Sequence, residues 1–289
     1  MALTAPTTIL ITGGSGDLGT SLTALLTQRG DLVRRLDPVP PPDGIGDHIP
    51  ASILDRGELA RAVAGADTVV HVAAWHGIHE GRGLRTPHEF WDVNMTGTAN
   101  LLEAMARDNR ARRLVFLSST SVARADSFYG LTKRLGEQLV AWYAAHRGIN
   151  AIILRPPSFI PPGNLDVYDG YAAWAREYWG RSAMHIEDLS RAVLMSADTL
   201  ARESYPQPPI LSLGARDDIP ADERSAWDTR GPGTSFRRLF PGFYDAAIAA
   251  GFDVSRPPLA RDVSEARRVM GFEPLHGIRD VLDGLTAGK

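Results

Sequence analysis

Short apolar runs recur along the chain with helix-length segments between them. Residues 8–11, 32–36, 68–73, 114–117, 151–154 and 210–213 read as strands. Several are apolar almost throughout, as strands buried on both faces of a parallel sheet must be. Between them, residues 18–28, 56–63, 94–107 and 131–146 read as helices, the last with Leu135, Leu139, Trp142 and Tyr143 at helical spacing. Gly30 and Gly148 stand where helices stop. The alternation predicts a doubly wound α/β fold.

The texture changes after Arg155. Pro156-Pro157 and Pro161-Pro162-Gly163 are followed by an aromatic stretch through Trp179, before a helix resumes over 187–196. A second irregular region, 205–234, precedes a helical run near 244–250. Asp262 with Glu265 has the form of a capping box opening a last helix that Gly271 ends. The expected division is a nucleotide-binding core over 1–155, with 186–215 returning to it, and a small C-terminal substrate lobe from 156–185 and 216–289. The prolines between Pro38 and Pro42 read as a stiff loop after the second strand, and no internal repeat is visible.

Composition narrows the classes. The 289 residues carry 31 Lys and Arg against 34 Asp and Glu without a block of one sign, which argues against nucleic acid or a membrane surface as partner. There is no cysteine, so disulfides, thiolate metal sites and cysteine nucleophiles are excluded. The first strand follows no basic leader, and no apolar run approaches ~18 residues. A cytoplasmic protein with a small-molecule substrate is expected.

The segment Thr12-Gly13-Gly14-Ser15-Gly16-Asp17-Leu18-Gly19 follows the first strand and opens the first helix. In a dinucleotide site the first glycine makes the tight turn, the second admits the pyrophosphate over the helix N-terminus, and the third lets helix and strand pack closely. Gly13, Gly16 and Gly19 fit those tasks. Asp37 closes the second strand, where a carboxylate accepts hydrogen bonds from the adenosine ribose and repels a 2′-phosphate. NAD is favoured over NADP, although Asp37 could merely begin the turn before Pro38, and Arg34 and Arg35 precede it.

Tyr129 and Lys133 stand four residues apart, on one face of a helix. A phenol is a poor base at neutral pH, and a neighbouring ammonium with an oxidised nicotinamide makes proton abstraction feasible. Upstream, Ser118-Ser119-Thr120 can add a hydroxyl that polarises the same substrate oxygen.

At this point the chain resembles the extended short-chain dehydrogenase/reductase family, the NAD-dependent epimerase/dehydratase group. The matching residues are the glycine loop, the run from Val69 to Ala74, Val93-Asn94-Met95-Thr96-Gly97-Thr98, Tyr129 with Lys133, Arg155-Pro156, His185-Ile186-Glu187-Asp188-Leu189, and the stretch from Ala266 to Pro274. The resemblance implies a Rossmann-like sheet and gives Ser119, Tyr129 and Lys133 catalytic roles. Ser119 orients the substrate oxygen, Tyr129 is the acid/base, and Lys133 holds the nicotinamide ribose and lowers the tyrosine pKa. It further implies cofactor contacts at Gly13, Gly16, Asp17, Leu18, Gly19, Asp37, Ile53, Ala73, Ala74 and Lys133, a supporting role for Asn94, and a homodimer through the helices beginning near Asn94 and Tyr129. His76, Ser119 and Ser158 are the candidate substrate contacts.

Departures from the family pattern matter too. Ser52 precedes Ile53 where many relatives carry aspartate, so adenine contacts are expected to differ. Thr120-Ser121 follows Ser119 in place of the Asp-Glu pair of a sugar 4,6-dehydratase, which argues against dehydration. Only nine residues separate Ser119 from Tyr129, and Ser158 stands where nucleotide-sugar binders often have asparagine. A smaller or non-nucleotide substrate is therefore open.

His71, His76, His79 and His88 have no familiar metal-ligand spacing, so no metal is expected. Arg110, Arg112 and Arg113 read as a solvated helix end, and Trp174, Tyr178 and Trp179 as packing. The expected activity is NAD-dependent chemistry at a secondary alcohol of a sugar or nucleotide sugar, with epimerase slightly preferred on analogy alone. The alternatives are a simple dehydrogenase or ketoreductase on a non-nucleotide sugar or polyol and, from another class, a non-catalytic NAD sensor.

Overall fold

The computed structural model describes residues 6–124, 126–159 and 169–287. The chain forms two compact units, Met1–Pro156 with Ser190–Leu211, and Pro157–Leu189 with Ser212–Lys289.

In the first unit, strands β1 (Thr8–Thr12), β2 (Leu32–Leu36), β3 (Asp47–Ile49), β4 (Thr68–His71), β5 (Arg113–Leu117) and β6 (Asn150–Arg155) pair in parallel. The second unit's short strands β7 (Ser158–Phe159) and β8 (Ala183–Met184) form a separate parallel pair. The chain then returns as β9 (Ile210–Ser212) beside β6, giving the sheet order β3-β2-β1-β4-β5-β6-β9. This is a Rossmann-like sheet, and its order reverses between β1 and β4. A crevice opens at such a switch point, beyond the carboxyl ends of the strands. Thr12 and His71, the last residues of β1 and β4, are register partners there.

Helices α1 (Asp17–Arg29), α2 (Arg56–Val63), α3 (Gly77–Gly81), α4 (Pro87–Phe90), α5 (Thr98–Arg107) and α6 (Phe128–Arg147) belong to the same unit. The helix expected from 94 to 107 is resolved differently. Its first part is a π-helical turn, Trp91–Gly97, running into α5. The core of this unit is aliphatic: Leu10, Val69, Leu101, Leu102, Leu114 and Ile153 are all buried at 1% exposure or less, and Phe116 supplies the one aromatic ring of the cluster's buried members. Helix α6 approaches the sheet closely because Gly136 faces the Phe116 ring and Gly130 faces the Ser121 carbonyl, where a Cβ would collide.

The second unit holds α7 (Tyr171–Arg181), the start of α8 (Ile186–Arg202), and the short helices α9 (Ala221–Ser225), α10 (Thr234–Leu239), α11 (Tyr244–Ala249), α12 (Ser264–Met270) and α13 (Ile278–Thr286). Trp174, Tyr178 and Trp179 are buried with Phe236, Phe240 and Phe252 in an aromatic core. The capping box expected at α12 is absent: Asp262 accepts from the Ser264 N–H, two residues on, and the cap position is Val263. The Pro161-Pro162-Gly163 turn lies outside the described residues. Among those described, no helix is long and apolar enough to cross a membrane.

Candidate active site

The glycine loop joins β1 to α1 at the switch point. Gly13 has φ +70°, and a Cβ there would fall 2.7 Å from the Ala73 nitrogen after β4, so only glycine makes the turn. Gly16 differs: its φ is −73° and its missing Cβ would meet only the Gly13 carbonyl, at an ordinary 3.6 Å. Neither backbone conformation nor internal crowding demands glycine at that position. What it leaves clear is space over the N-terminus of α1, where free N–H groups and the helix dipole favour phosphate. Asp17 and Leu18 open the helix, but the Leu18 side chain is buried, so only its backbone can face that space. Ala73 donates its N–H to the Thr12 carbonyl at 3.0 Å, which holds Ala73 and Ala74 beside the loop.

Asp37 accepts from the Ser15 N–H at 3.1 Å and the Val39 N–H at 2.9 Å. Its carboxylate thus stands against the glycine loop, where a ribose would lie. The two arginines before it are engaged elsewhere. Arg35 is fully buried and donates to the Gly14 and Ile45 carbonyls, Asp43 and the Thr20 hydroxyl. Arg34 donates to the carbonyls of Ala62 and Ala64. Neither is disposed to receive a 2′-phosphate. Ile53 is buried in the core cluster against Gly97, so its side chain is committed to packing and only its backbone is left for an adenine contact.

Ser119, Tyr129 and Lys133 come together at the carboxyl end of β5. Ser119 follows the strand, accepts from the Ser121 N–H at 3.1 Å, and donates its hydroxyl toward Tyr129. The close approach at Gly130 brings this turn and α6 within reach of each other. All three side chains are buried, at 8%, 8% and 6% exposure. Burial pushes the Tyr129 phenol up to about 12, against the Ser119 hydrogen bond, which stabilises the phenolate. Burial also pushes the Lys133 ammonium down to about 8, against the nearby Glu137 carboxylate, which favours the charge. Lys133 donates to the Leu117 carbonyl at 2.6 Å and lies 5.9 Å from the Tyr129 ring centroid.

Polar clamps hold this cluster in place. Glu80, on α3, accepts from the Ser127 hydroxyl at 2.7 Å, the Phe128 N–H at 2.6 Å and the Tyr129 N–H at 3.3 Å, capping α6 from 47 residues away. Asn94, in the π-helical turn, donates to the Trp75 carbonyl and the Thr132 hydroxyl and accepts the Trp75 N–H at 2.8 Å. Glu137 accepts from Ser118 and from Nε and Nη2 of the Arg155 guanidinium, at 2.8 and 2.6 Å. Ser118 therefore serves the clamp while Ser119 faces the tyrosine. Glu137 was legible in principle, being a helical step of four beyond Lys133. Glu80 carries no local signal, because its partners are distant in sequence.

His71 is strand core, its ring between the Thr12 and Thr98 hydroxyls at 2.8 Å each. Burial, aided by the Lys133 charge, pushes it down to about 3, so it is neutral. His76 is exposed and meets His79 edge-on, ring centroids 4.2 Å apart. The next residue, Gly77, faces the Tyr129 ring, which puts this loop beside the phenol. Ser158 belongs to the second unit, paired with Ala183 across its two strands.

Comparison with known proteins places the chain in a family. Residues 9–207 match the model of the NAD dependent epimerase/dehydratase family. The chain is similar to a uronate dehydrogenase of Pseudomonas putida, 28% identical over 54% of this chain and 63% of that protein. It is also similar to a 3-beta-hydroxysteroid dehydrogenase of Mycolicibacterium neoaurum, 30% identical over 55% of this chain and 50% of the relative. These matches span less than two thirds of either relative. Among solved structures, UDP-glucose 4-epimerase from Brucella ovis in complex with NAD has a TM-score of 0.70 at 21% identity, covering 96% of each chain, a likeness of fold.

Proposed function

The chain belongs to the NAD dependent epimerase/dehydratase family, and on that premise we propose that it is an NAD-dependent dehydrogenase acting on a hydroxyl-bearing carbon of a sugar-like, non-nucleotide substrate. The cofactor is NAD, in keeping with the family. The observation that carries the reading is the buried convergence of Ser119, Tyr129 and Lys133 beyond β5. The loop fits the cofactor on independent grounds, because Gly16 is a glycine that no contact within the chain requires. Gly13, Gly16, Gly19 and the α1 N-terminus would hold the pyrophosphate, Asp37 the adenosine ribose, and Lys133 the nicotinamide ribose.

NAD, when bound, supplies a hydride acceptor and, oxidised, a positive charge near the phenol. Tyr129 takes the hydroxyl proton of the substrate at its phenolic oxygen, and returns it in the reverse direction. Ser119 donates to the same substrate oxygen and steadies the charge that builds there. The Ser119 hydrogen bond works against the burial that keeps Tyr129 protonated, and a charged Lys133 beside the ring would favour the phenolate further. Around the cluster, Asn94 and Glu80 keep α6 and the loop bearing His76 in register with it.

Thr120 and Ser121 follow Ser119 where dehydration would need carboxyl groups. A net dehydrogenase is preferred over the epimerase first expected, since both curated relatives described above are dehydrogenases by name. Hexuronic acids are the first substrates to try. The test is a panel of hexuronic acids, neutral sugars, polyols, hydroxysteroids and nucleotide sugars, each incubated with NAD while NADH and products are followed. Stoichiometric NADH with a non-nucleotide substrate is expected. Product from a nucleotide sugar without net NADH would replace this reading with an epimerase.

A further inference from the structure

The second unit gathers two histidines and a carboxylate around the start of α8. His185 immediately precedes that helix, Glu187 lies in its first turn, and His276 lies on the loop that leads into α13. One nitrogen or oxygen from each falls within 4.8 Å of the others. We propose that His185, Glu187 and His276 bind a divalent transition-metal ion, with Zn2+ the best match, and that the ion ties the start of α8 to the start of α13.

The orientation of His276 carries the argument. Asp188 is fully buried and accepts the backbone N–H groups of Leu275 and His276, each at 2.9 Å. The same carboxylate lies 3.2 Å from Nδ1 of the His276 ring. A carboxylate accepts, so in the neutral ring the proton sits on Nδ1 and Nε2 presents a lone pair. That is the arrangement in which a carboxylate behind a histidine prepares it as a metal ligand. Nε2 of His276 faces the Glu187 carboxylate at 3.5 Å. With the ring neutral, Nε2 and the carboxylate are both electron-pair donors, and a cation between them would be coordinated by both.

His185 supplies the third donor. Its ring stacks on His276, centroids 4.1 Å apart and planes 23° from parallel, which puts both imidazoles on one side of the cluster. Its Nδ1 accepts the Glu187 N–H at 3.3 Å, a long contact that ligation would exchange for a metal–nitrogen bond. Metal–donor bonds of about 2.0–2.2 Å need the three atoms to draw in by about 1 Å. Glu187, whose side chain is 64% exposed, is free to make that movement. Arg216, whose backbone donates to the His276 carbonyl, has its guanidinium paired with Asp218 and Asp280. Two imidazoles and a carboxylate suit Zn2+ over Mg2+ or Ca2+, which prefer all-oxygen sites.

The test is calorimetric titration of ZnCl2 into the intact chain after treatment with a chelator, with Co2+ absorption as a second readout. One equivalent should bind, and His276→Gln, at a half-buried position, and Glu187→Gln, at an exposed one, should each weaken it at least about tenfold. Asp188→Asn, where it remains folded, should weaken it by about 10- to 100-fold. His79→Gln, in the first unit, should leave affinity unchanged. Absence of Zn2+ binding, binding that survives His276→Gln, or binding abolished by His79→Gln would overturn the proposal. None of these readouts depends on turnover, so failure here and failure of the dehydrogenase reading remain separate results.

Discussion

The glycine loop and the tyrosine helix stand on the same sheet and are built in opposite ways. The loop is shaped within Thr12 to Val39, apart from the backbone at Val72 and Ala73, largely through where a Cβ can or cannot fit. The tyrosine helix is held by polar side chains from separate segments: Glu80 and Asn94 from well upstream, Ser118 from the end of β5 and Arg155 from the end of β6. The difference teaches where each will fail. Damage to the loop at Gly16 should cost cofactor without costing the fold, whereas damage to the clamps around α6 should cost stability and turnover together.

The largest effect that would separate the two is expected at Glu137. Glu137→Ala strands the Arg155 guanidinium and Ser118; urea unfolding should show a loss of about 3 kcal/mol, the lower end for a broken buried pair, since the Arg155 side chain is 31% exposed. A loss within error would mean that the clamp contributes nothing and the contrast is empty. Asn94→Ala comes next. It frees the Trp75 backbone and Thr132, so about 1–3 kcal/mol of stability should go, together with kcat, while NAD affinity holds. Weakened NAD affinity with unchanged kcat would place Asn94 with the loop instead.

Gly16→Val sharpens the other side. A Cβ there meets only the Gly13 carbonyl, at an ordinary 3.6 Å, so the melting temperature should be unchanged while NAD binds at least about tenfold more weakly, or ~1.4 kcal/mol. Loss of fold with intact cofactor affinity in the remaining native fraction would reverse the assignment.

The smallest effect is a pH dependence. The Lys133 ammonium, ordinarily near 10.5, is held at about 8 by burial. Between those values the unfolded chain binds the proton that the folded chain has released, so this lysine's contribution makes stability rise with pH across that window. The difference in unfolding free energy between wild type and Lys133→Met should therefore change from about pH 8 to 10.5 and level off on either side. A difference flat with pH would mean that Lys133 is not desolvated.

The same contrast explains what could be read from the sequence. Periodicity located the strands of the large sheet except β3, whose three residues Asp47–Ile49 have no apolar run to mark them. The loop was legible because its constraints are local and glycine records them directly. Tyr129, Lys133 and Ser119 were legible as residue types at suitable spacing. What held them was legible only in part: Asn94 was expected as a support, whereas Glu80 reaches α6 across 47 residues and nothing marked the turn bearing Asn94 as π-helical. Ile53 shows the opposite case: at a position chosen for a cofactor contact the side chain packs against Gly97, which leaves only the backbone for that role.

The measurement closest to the central claim is the rate of NADH formation by Tyr129→Phe on the best substrate of the panel, with NAD affinity determined on the same sample. The account predicts that NAD binds as in wild type while turnover falls by about 10²- to 10⁴-fold, the worth of a positioned acid/base. Wild-type turnover in Tyr129→Phe would contradict it and move the chain toward the class of NAD-binding proteins that sense the cofactor without using it.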